Sequence, residues 1–506
     1  MKRATRRLTP QREDGVALVM ALGVLFVLTI VLVSVISFST SNAKDADHKT
    51  AGQGSYAVAE AGVNNALAQL ATLYAPGNTT MYTSTYPSLV SSSGQSYSGG
   101  TASWSSSFTS TSTYGGYWTI TATGTAPNPN GPNLASLRRT ITFKVDVMER
   151  PRTVGTPAIW DYNYSGGTGS PCDMTIDQGV TFTAPLYMPG NLCLRNKGSI
   201  LDPAKYLAVG GNIDIQNKNG SVGTSALPIK DVFVGGGCSL TGGASTNPCQ
   251  NAPGADTAIW ATNFTNGMPN PPLTLPTIDW SAMYDRARPG PLDECTKTSS
   301  GSGPDFENDT TPLNVSVPTF NLTPTTSYTC VAQNGGELSW NATTKVLTVN
   351  GLIFFDGNVK VDTGNGVYAR YVGSATIYAS GTVLIKNNST LCAKLNGSAC
   401  DWTNWKPGAG DGILTLVANG IGQGQVSAGD STEVMQSSFQ GALYGTNIVQ
   451  IEQGSTVQGP IVTPDEIAPG QSAVTAFPSV IAVSAGTPGD TSPPEFMIGP
   501  PRDITY

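Results

Sequence analysis

QREDGVALVMALGVLFVLTIVLVSVISF, residues 11–38, changes from charged to apolar at the bond between Gly15 and Val16. The run from Val16 to Phe38 contains no charged side chain. It is long enough to cross a bilayer, since a helix of about 20 residues spans the ~30 Å hydrocarbon core. An ordinary secretory signal has a shorter apolar core, about 7–15 residues. The run therefore predicts a membrane-spanning helix rather than a simple export signal.

Basic residues are concentrated ahead of this run. The segment 1–15 contains five Lys or Arg and two acids, and the basic ones are Lys2, Arg3, Arg6, Arg7 and Arg12. Because basic residues stay on the cytoplasmic side of a membrane helix, the N-terminus is expected inside and the rest of the chain outside. The expected arrangement is a single-pass membrane protein, N-in and C-out.

The rest of the chain is acidic and sparsely charged. The chain has 506 residues, which suggests several domains, with 58 Gly, 35 Pro and only 12% charged residues. This composition favours strands and turns over surface helices. Without the segment 1–15, the totals of 27 basic and 34 acidic side chains fall by five and two to 22 and 32, a net charge of −10. That sign argues against a nucleic-acid partner, which needs a basic stripe.

All eight cysteines follow the apolar run. The sequence has no CxxC pair and no histidine near them, so disulfides of an oxidising compartment are favoured over a metal site. Each bridge contributes ~2–4 kcal/mol by restricting the unfolded chain. Proximity along the chain predicts the pairs Cys172–Cys193, Cys238–Cys249, Cys295–Cys330 and Cys392–Cys400.

A second helical pattern follows in YAVAEAGVNNALAQLATLYA, residues 56–75. Its apolar residues recur every three or four positions, as on one face of an amphipathic helix. We expect one helix over 16–74, on the order of 85 Å long, with its transmembrane half at 16–38. The alternative is a signal anchor cut after Ala43 and followed by an unrelated helix. The predicted packing face is Tyr56, Ala59, Val63, Ala66, Leu67, Leu70 and Leu73.

Residues 75–150 are predicted to form a small β unit. YWTITATGT (117–125) and RRTITFKVDV (138–147) alternate with a period of two, which is typical of half-buried strands. Their apolar side can supply the surface against which the second half of the helix packs.

Residues 151–463 carry a weak repeat, in which two apolar or aromatic residues lead into a Gly turn and an alternating strand. Spacings of 21–25 positions and Gly or Asn corners favour a parallel β-solenoid, so the fold class is α+β. An antiparallel β-sandwich is the alternative. A Pro-rich insertion at about 250–345 interrupts the repeat, and a Pro/Gly-rich tail, 464–506, is expected along the surface. The repeats are 187–196, 208–217, 233–242, 354–363, 378–387 and 443–452.

The N-terminal pattern resembles the class III signal of type IV pilins and pseudopilins, in which a short basic leader ends in Gly ahead of an unbroken apolar helix. The resemblance implies cleavage by a prepilin peptidase between Gly15 and Val16, removal of the leader 1–15, and methylation of the new N-terminus. A peptidase in the membrane needs the scissile bond at the membrane surface, which accounts for the step from charged to apolar at one bond.

GVALVMALGVLFVL joined to AVAEAGVNNALAQL resembles the N-terminal module of PilX-type minor pilins, over roughly residues 10–75. Residues 338–361 are similar to an uncharacterised β-rich domain attached to such proteins. We expect the helix-packing segment of the module at Ala59, Glu60, Ala61, Gly62 and Val63.

Met20 departs from the pilin pattern, because major pilins carry a glutamate as the fifth mature residue that pairs with a neighbour's N-terminal amine. A carboxylate in the membrane is kept only with a partner. Its absence implies a subunit with no neighbour ahead of it, as at a filament tip. A globular part that takes up most of the chain is also bulky for a thin shaft.

The resemblance implies a minor pilin or pseudopilin at the tip of a type IV pilus or related secretion filament, acting in assembly initiation or surface adhesion. The implied partners are other pilin subunits, the inner-membrane assembly platform, prepilin peptidase, the membrane and a surface ligand. The implied location is the cell membrane before assembly and the cell surface or pilus afterwards.

The alternative function is a membrane-anchored solenoid that binds or cleaves cell-surface polysaccharide. The sole histidine, His48, follows the membrane segment directly, so Ser-His-Asp catalysis and His-based metal sites are excluded from the body. Carboxylates with Arg195 remain possible for glycan chemistry, and an acidic loop at 293–309 has oxygen ligands suited to Ca²⁺. The sequence predicts no catalytic residue, metal site or cofactor. The scattered acids are Asp173, Asp177, Asp214, Asp356 and Asp362.

Overall fold

A computed structural model gives the fold as a long helix, a small antiparallel sheet (the head) and a parallel β-solenoid (the body). This confirms the α+β class. The described residues are 14–81, 92–112, 114–129, 135–154, 157–167, 171–201, 205–216, 220–240, 259–287, 319–332, 334–420, 426–470, 473–474 and 482–505.

Helix α1 (Asp14–Leu73) runs for 60 residues without a break, as predicted. Residues 16–50 are exposed along their whole length, and the helix is buried on one side only from Ser55 onwards. The change follows the sequence, since the first half is apolar on all sides and the second half is amphipathic.

The strands before and in the first half of the body follow in chain order. They are β1 (Ser92–Tyr97), β2 (Gly100–Ser112), β3 (Gly115–Ala126), β4 (Leu137–Glu149), β5 (Thr153–Val154), β6 (Asn163–Ser165), β7 (Met174–Ile176), β8 (Thr181–Phe182), β9 (Leu186–Met188), β10 (Leu192–Leu194), β11 (Ser199–Ile200), β12 (Tyr206–Val209), β13 (Ile213–Ile215), β14 (Ser221–Val222), β15 (Ile229–Val234), β16 (Cys238–Leu240) and β17 (Ala261–Asn266).

A short 3₁₀ helix (Ala158–Asp161) precedes β6, and helix α2 (Trp280–Ala287) follows β17. The remaining strands are β18 (Thr319–Asn321), β19 (Tyr328–Val331), β20 (Glu337–Asn341), β21 (Val346–Phe355), β22 (Asn358–Val361), β23 (Tyr368–Val372), β24 (Ala375–Ala379), β25 (Val383–Ile385), β26 (Thr390–Cys392), β27 (Leu395–Asn396), β28 (Ala399–Cys400), β29 (Leu414–Ala418), β30 (Asp430–Val434), β31 (Ser438–Gln440), β32 (Ala442–Gly445), β33 (Ile448–Ile451), β34 (Thr456–Gln458), β35 (Ile461–Thr463), β36 (Ile467–Pro469), β37 (Ala473–Val474), β38 (Val483–Ser484), β39 (Phe496–Ile498) and β40 (Arg502–Asp503).

The head sheet has the order β1-β2-β3-β4-β39, with β40 also on β4, and all its pairings are antiparallel. Buried and part-exposed residues alternate along β3, so one side of the sheet faces the helix. Strands β3 and β4 contain the segments 117–125 and 138–147 that the period-two pattern indicated.

The body is a parallel β-solenoid with three faces. On face 1, β24 pairs with β29 and β29 with β32. On face 2, β22 pairs with β25 and β25 with β30. On face 3, β23 pairs with β26 and β26 with β31. These parallel ladders rule out the sandwich alternative, and one apolar core extends from Met174 to Ile467 through both halves of the body.

The coils do not stack in chain order. The last coil pairs with the first, β35 with β6 on face 1 and β37 with β8 on face 3, and this junction is called the seam below. The chain therefore enters the solenoid in its middle, coils out to β17 at one end, crosses to the opposite end at β18–β21, and coils back to the seam. Both halves advance in the same direction, which lets the parallel pairing continue across the seam.

The crossing segment lies on face 1. The backbone N–H of Leu273 donates to the Tyr187 hydroxyl at 3.1 Å, and further along the ring of Trp280 lies 5.6 Å from that of Tyr378. Helix α2 adds Tyr284, whose ring is 5.4 Å from Phe354. The aromatic outer side of face 1 is thus buried by the segment that connects the two ends.

The boundaries of the body differ from the sequence expectation. Strands β17 to β20 belong to the solenoid, although they fall inside the insertion predicted at about 250–345. The tail expected from 464 onwards also contributes strands, β36 and β37 to the last coil and β39 and β40 to the head. Proline and glycine were read as marks of irregular chain, whereas here they lie between short strands that long-range pairing holds.

Two of the expected disulfides lie within the described residues. Cys172 is bonded to Cys193 and Cys392 to Cys400. Cys238 and Cys330 are also disulfide-bonded. Their expected partners, Cys249 and Cys295, and the acidic loop 293–309 lie outside the described residues.

The seam predicts one sensitive side chain. Asn163 is fully buried, and its Oδ1 accepts the backbone N–H of Ile461 from the opposite side of the seam at 2.8 Å. In Asn163→Ala that N–H loses its acceptor, so we expect the free energy of unfolding to fall by about 1–3 kcal/mol. Urea unfolding and hydrogen exchange at the Ile461 amide measure the change.

Asn263→Ala is the matched control, because the Asn263 amide donates only at the exposed edge, to Asp231 at 2.8 Å. We expect an effect within about 0.5 kcal/mol. Equal destabilisation by the two substitutions would contradict the role given to the seam.

Candidate functional site

The first half of α1 is an unpartnered apolar surface. Its most apolar 18-residue window has a mean hydropathy of 3.1 and is not buried, so the helix is long and apolar enough to cross a membrane. Thr29 and Ser34 donate to the carbonyls of Leu25 and Ile30 at 2.6 and 2.8 Å. Their hydroxyls are therefore satisfied within the helix, as an apolar surrounding requires.

The residues expected at the processing site lie in the first turns of α1. Gly15 and Val16 are helical, and the Val16 side chain is exposed. Met20 is 68% exposed one turn later and touches no other part of the head or body. The basic residues of the leader lie outside the described residues.

The second half of α1 packs closely on the head sheet. A Cβ added at Gly124 would overlap the Ser55 carbonyl oxygen and lie 2.5 Å from the Ala59 nitrogen, so the helix backbone rests directly on β3. A Cβ at Gly62 would meet Ala102 at 3.3 Å. Small residues on both elements set this distance, and Gly124 carries a structural role that the sequence pattern alone did not indicate.

Large side chains fill the two flanks of this contact. Trp104, Trp118 and Ile120 lie in the head core with the helix residues Leu70 and Tyr74. The Trp118 Nε1–H donates to the Tyr74 hydroxyl at 3.2 Å, which satisfies both polar groups inside the core.

The expected packing segment is placed in part. Ala59, Gly62 and Val63 are buried against the sheet and Ala61 lies at its margin, but Glu60 is exposed. Tyr56, also expected on the packing face, is 42% exposed beside Glu60, whose charge is the main cause that raises the pKa of the Tyr56 hydroxyl. Positions 56 and 60 are one turn apart on the outer side, because the buried face instead begins at Ser55 and Val58.

The end of the chain completes the head. Phe496 is buried in the same core, and β39 pairs with β4 through Phe496 and Glu149. The guanidinium of Arg152 lies 3.0 Å from the Glu495 carboxylate just before β39. The head is therefore built from both sides of the body along the sequence.

An ion pair joins head, body and crossing helix. Arg286 of α2 donates through Nε to Glu149 Oε2 at 3.0 Å and through its terminal nitrogen to the other carboxylate oxygen. Glu149 is 7% exposed at the end of β4, and its backbone N–H donates to the Asn334 carbonyl. A two-point Arg–carboxylate contact fixes orientation as well as distance.

The acids considered for glycan chemistry are bound within the coils. Asp173 accepts the Asn191 N–H at 2.7 Å, and Asp356 accepts the Ser380 hydroxyl at 2.6 Å. Asp362 pairs with Lys360 at 3.2 Å. Each joins neighbouring positions of the repeat, which is a structural role, and Arg195 contacts the sulfur of Cys172.

A cluster of carboxylates that the sequence pattern did not single out lies on face 2. Burial and the neighbouring Glu452 raise the pKa of Asp430 to about 6 and that of Glu433 to about 7. Glu433 is 2% exposed and accepts the Ser427 N–H at 3.1 Å. In the described ranges, however, no group of three or more His, Cys, Asp or Glu side chains is arranged to hold a metal ion.

No protein-family model matches the chain, and comparison with curated proteins gives no match. Among solved structures, the chain is similar to the competence-associated pilin ComZ from Thermus thermophilus. The TM-score is 0.38 at 11% identity, over 90% of this chain and 98% of that chain. A likeness at this level does not decide function.

The contact at Gly124 predicts a sensitive position in the head. In Gly124→Ala the new methyl group overlaps the helix backbone, so α1 must move away from β3. We expect the free energy of unfolding to fall by about 1–3 kcal/mol, as for overpacked cores. Faster hydrogen exchange of the amides at 58–70 in the full-length protein in detergent would locate the effect.

Gly52→Ala makes the same chemical change in an exposed turn of α1, where nothing lies within 4 Å of the new methyl group. It should leave exchange at 58–70 unchanged and stabilise the helix by up to about 1 kcal/mol. If the two variants behave alike, the close contact is not what holds the helix on the sheet.

Proposed function

We propose that this chain is a pilin-like subunit of a type IV pilus or related secretion filament. The observation that carries the proposal is α1 itself. One uninterrupted helix has an apolar half of bilayer length without a partner, and an amphipathic half fixed on an antiparallel head sheet. A soluble domain gains nothing from an exposed apolar helix, whereas a subunit stored in a membrane and then moved into a helical bundle needs one.

The apolar half serves two environments in turn. Before assembly, residues 16–38 lie in the bilayer, with the basic leader holding the N-terminus in the cytoplasm. After extraction by an inner-membrane assembly platform, the same surface packs against the helices of other subunits. The chain is then presented at the cell surface.

Within the filament we place the subunit at the tip, as a PilX-like minor pilin that initiates assembly or contacts a surface. Met20 supports this position, because a shaft subunit without a carboxylate there leaves a neighbour's amine unpaired among apolar helices. An uncompensated charge in such a place costs several kcal/mol. The large body supports it as well, since one copy at an end meets no lateral crowding. We assign no catalytic step to the chain.

Processing provides the first test. We expect the mature chain to start at Val16 with a methylated amine, because a prepilin peptidase reaches the bond where charge gives way to apolar residues. Gly15→Ala should leave the leader attached, and mass spectrometry of the N-terminus reads both results. Gly23→Ala, a glycine with open space around it inside the helix, should be processed normally. A wild-type chain starting at Met1 or Lys44 beside an active prepilin peptidase would disprove the pilin assignment.

Location provides the second test. An antibody against residues 151–463 should label filament ends only, at a few copies per filament, while an antibody against the major subunit labels the shaft. Immunogold electron microscopy of purified filaments measures both. Regular labelling of the shaft by the first antibody would place the subunit along the filament and refute the argument from Met20.

A further inference from the structure

Exposed large apolar side chains are rare in the described part of the body. They are Leu227, Val331, Tyr368 and Val372. Three of the four lie on the outer side of face 3, at the end of the solenoid that begins with β18. Clustering of this kind marks an interaction surface more often than single exposed residues do.

Strand β23 presents the centre of this surface. Tyr368 and Val372 are 41% and 40% exposed, while the intervening Ala369 and Tyr371 point into the core. Between the two exposed residues the Arg370 side chain faces outward, and no described acid lies within ion-pair distance of it. A row of aromatic, cationic and apolar groups therefore faces solvent from one strand.

Two adjoining depressions flank this row. One, of about 630 Å³, is lined by β19, β20 and β21, and the other, of about 410 Å³, by Arg370, Val372 and the loop before β29. They meet because Val346 and Thr348 of β21 pair in register with Arg370 and Val372. Together they form one groove across neighbouring strands, and its first part carries the polar side chains of Ser327, Thr329, Ser339, Asn341, Thr344 and Thr348.

The loop that walls the groove is held in place. The Cys392–Cys400 disulfide closes its base, and Lys394 lies 3.5 Å from the Asp411 carboxylate. Trp405 is 1% exposed and donates to the Gly412 carbonyl at 3.1 Å. A wall fixed in this way loses little conformational entropy when a ligand binds.

We propose that this groove binds an extended acidic polysaccharide. Hydroxyl and amide side chains suit the hydroxyl groups of sugars, and the exposed Tyr368 ring suits the apolar face of a sugar ring. Arg370 suits a carboxylate, which its guanidinium can hold at two points. Two linked depressions favour a chain of repeating units over a compact molecule.

The charge of the groove separates this ligand from a nucleic acid. A phosphate polymer carries one negative charge per nucleotide and needs a basic stripe, whereas Arg370 here shares the groove with Asp411 and the surrounding body is acidic. A sugar chain with widely spaced carboxylates matches a single central arginine. The groove is argued independently of the pilin assignment and stands or falls separately from it.

The experiment uses the full-length protein in detergent micelles and isothermal titration calorimetry with polygalacturonate, alginate and hyaluronate. We expect measurable binding of at least one acidic polymer and none of neutral dextran. Arg370→Gln and Tyr368→Ser should each weaken binding at least tenfold. Lys230→Gln and Leu227→Ser make similar changes at exposed sites away from the groove and should bind as the wild type does. Near-ultraviolet circular dichroism checks that all four variants are folded.

Three results would overturn the proposal. The first is no binding of any acidic polymer at millimolar sugar, and the second is equal binding of dextran. The third is tighter binding of a single-stranded DNA oligonucleotide that displaces the polysaccharide and depends equally on Arg370. A folded Arg370→Gln variant that binds like the wild type would also refute the assigned site.

Discussion

The structure depends on one backbone pairing, that of β4 with β39 in the head sheet. The whole solenoid lies between these two strands in the sequence, so it must begin and end at the same place. A simple solenoid begins at one end and finishes at the other, and would leave the chain several coils away from β39. Entering in the middle and closing at the seam solves this problem, and the crossing segment on face 1 is its consequence.

The seam replaces covalent continuity with hydrogen bonds. Besides Asn163, Ser165 accepts the Ile467 N–H at 3.2 Å, and the Gly166 N–H donates to the Thr463 carbonyl at 3.0 Å. Faces 1 and 3 pair across the seam, while on face 2 β7 and β36 belong to separate sheets. Burial raises the pKa of Glu466 near that gap, with Asp173 close by. The apolar core nevertheless runs through, so the two halves can fold as one unit.

Local patterns in the sequence were enough to predict α1, the strands around Tyr117–Thr125 and the two near-neighbour disulfides. Each depends on residues close together in the chain. The seam, the return of β39 and the groove depend on contacts between distant segments, for which a single sequence gives no signal. The packing face was misplaced at Tyr56 and Glu60 for a related reason. Periodicity gives the spacing of a buried face, but its position is set here by the approach of Gly124 to the backbone at Ser55 and Ala59.

The joint between head and body also fixes the groove. Asn334 lies in the turn between β19 and β20, two of the strands that line it, and its carbonyl accepts the Glu149 N–H at 2.5 Å. A Cβ at the neighbouring Gly335 would overlap the Met148 side chain, so this turn sits directly on β4. Arg286 holds the same glutamate from the crossing helix. Because β4 also packs against α1, the groove has a set orientation relative to the helix, and a ligand held there would pull on the helix through packed strands rather than through a flexible linker.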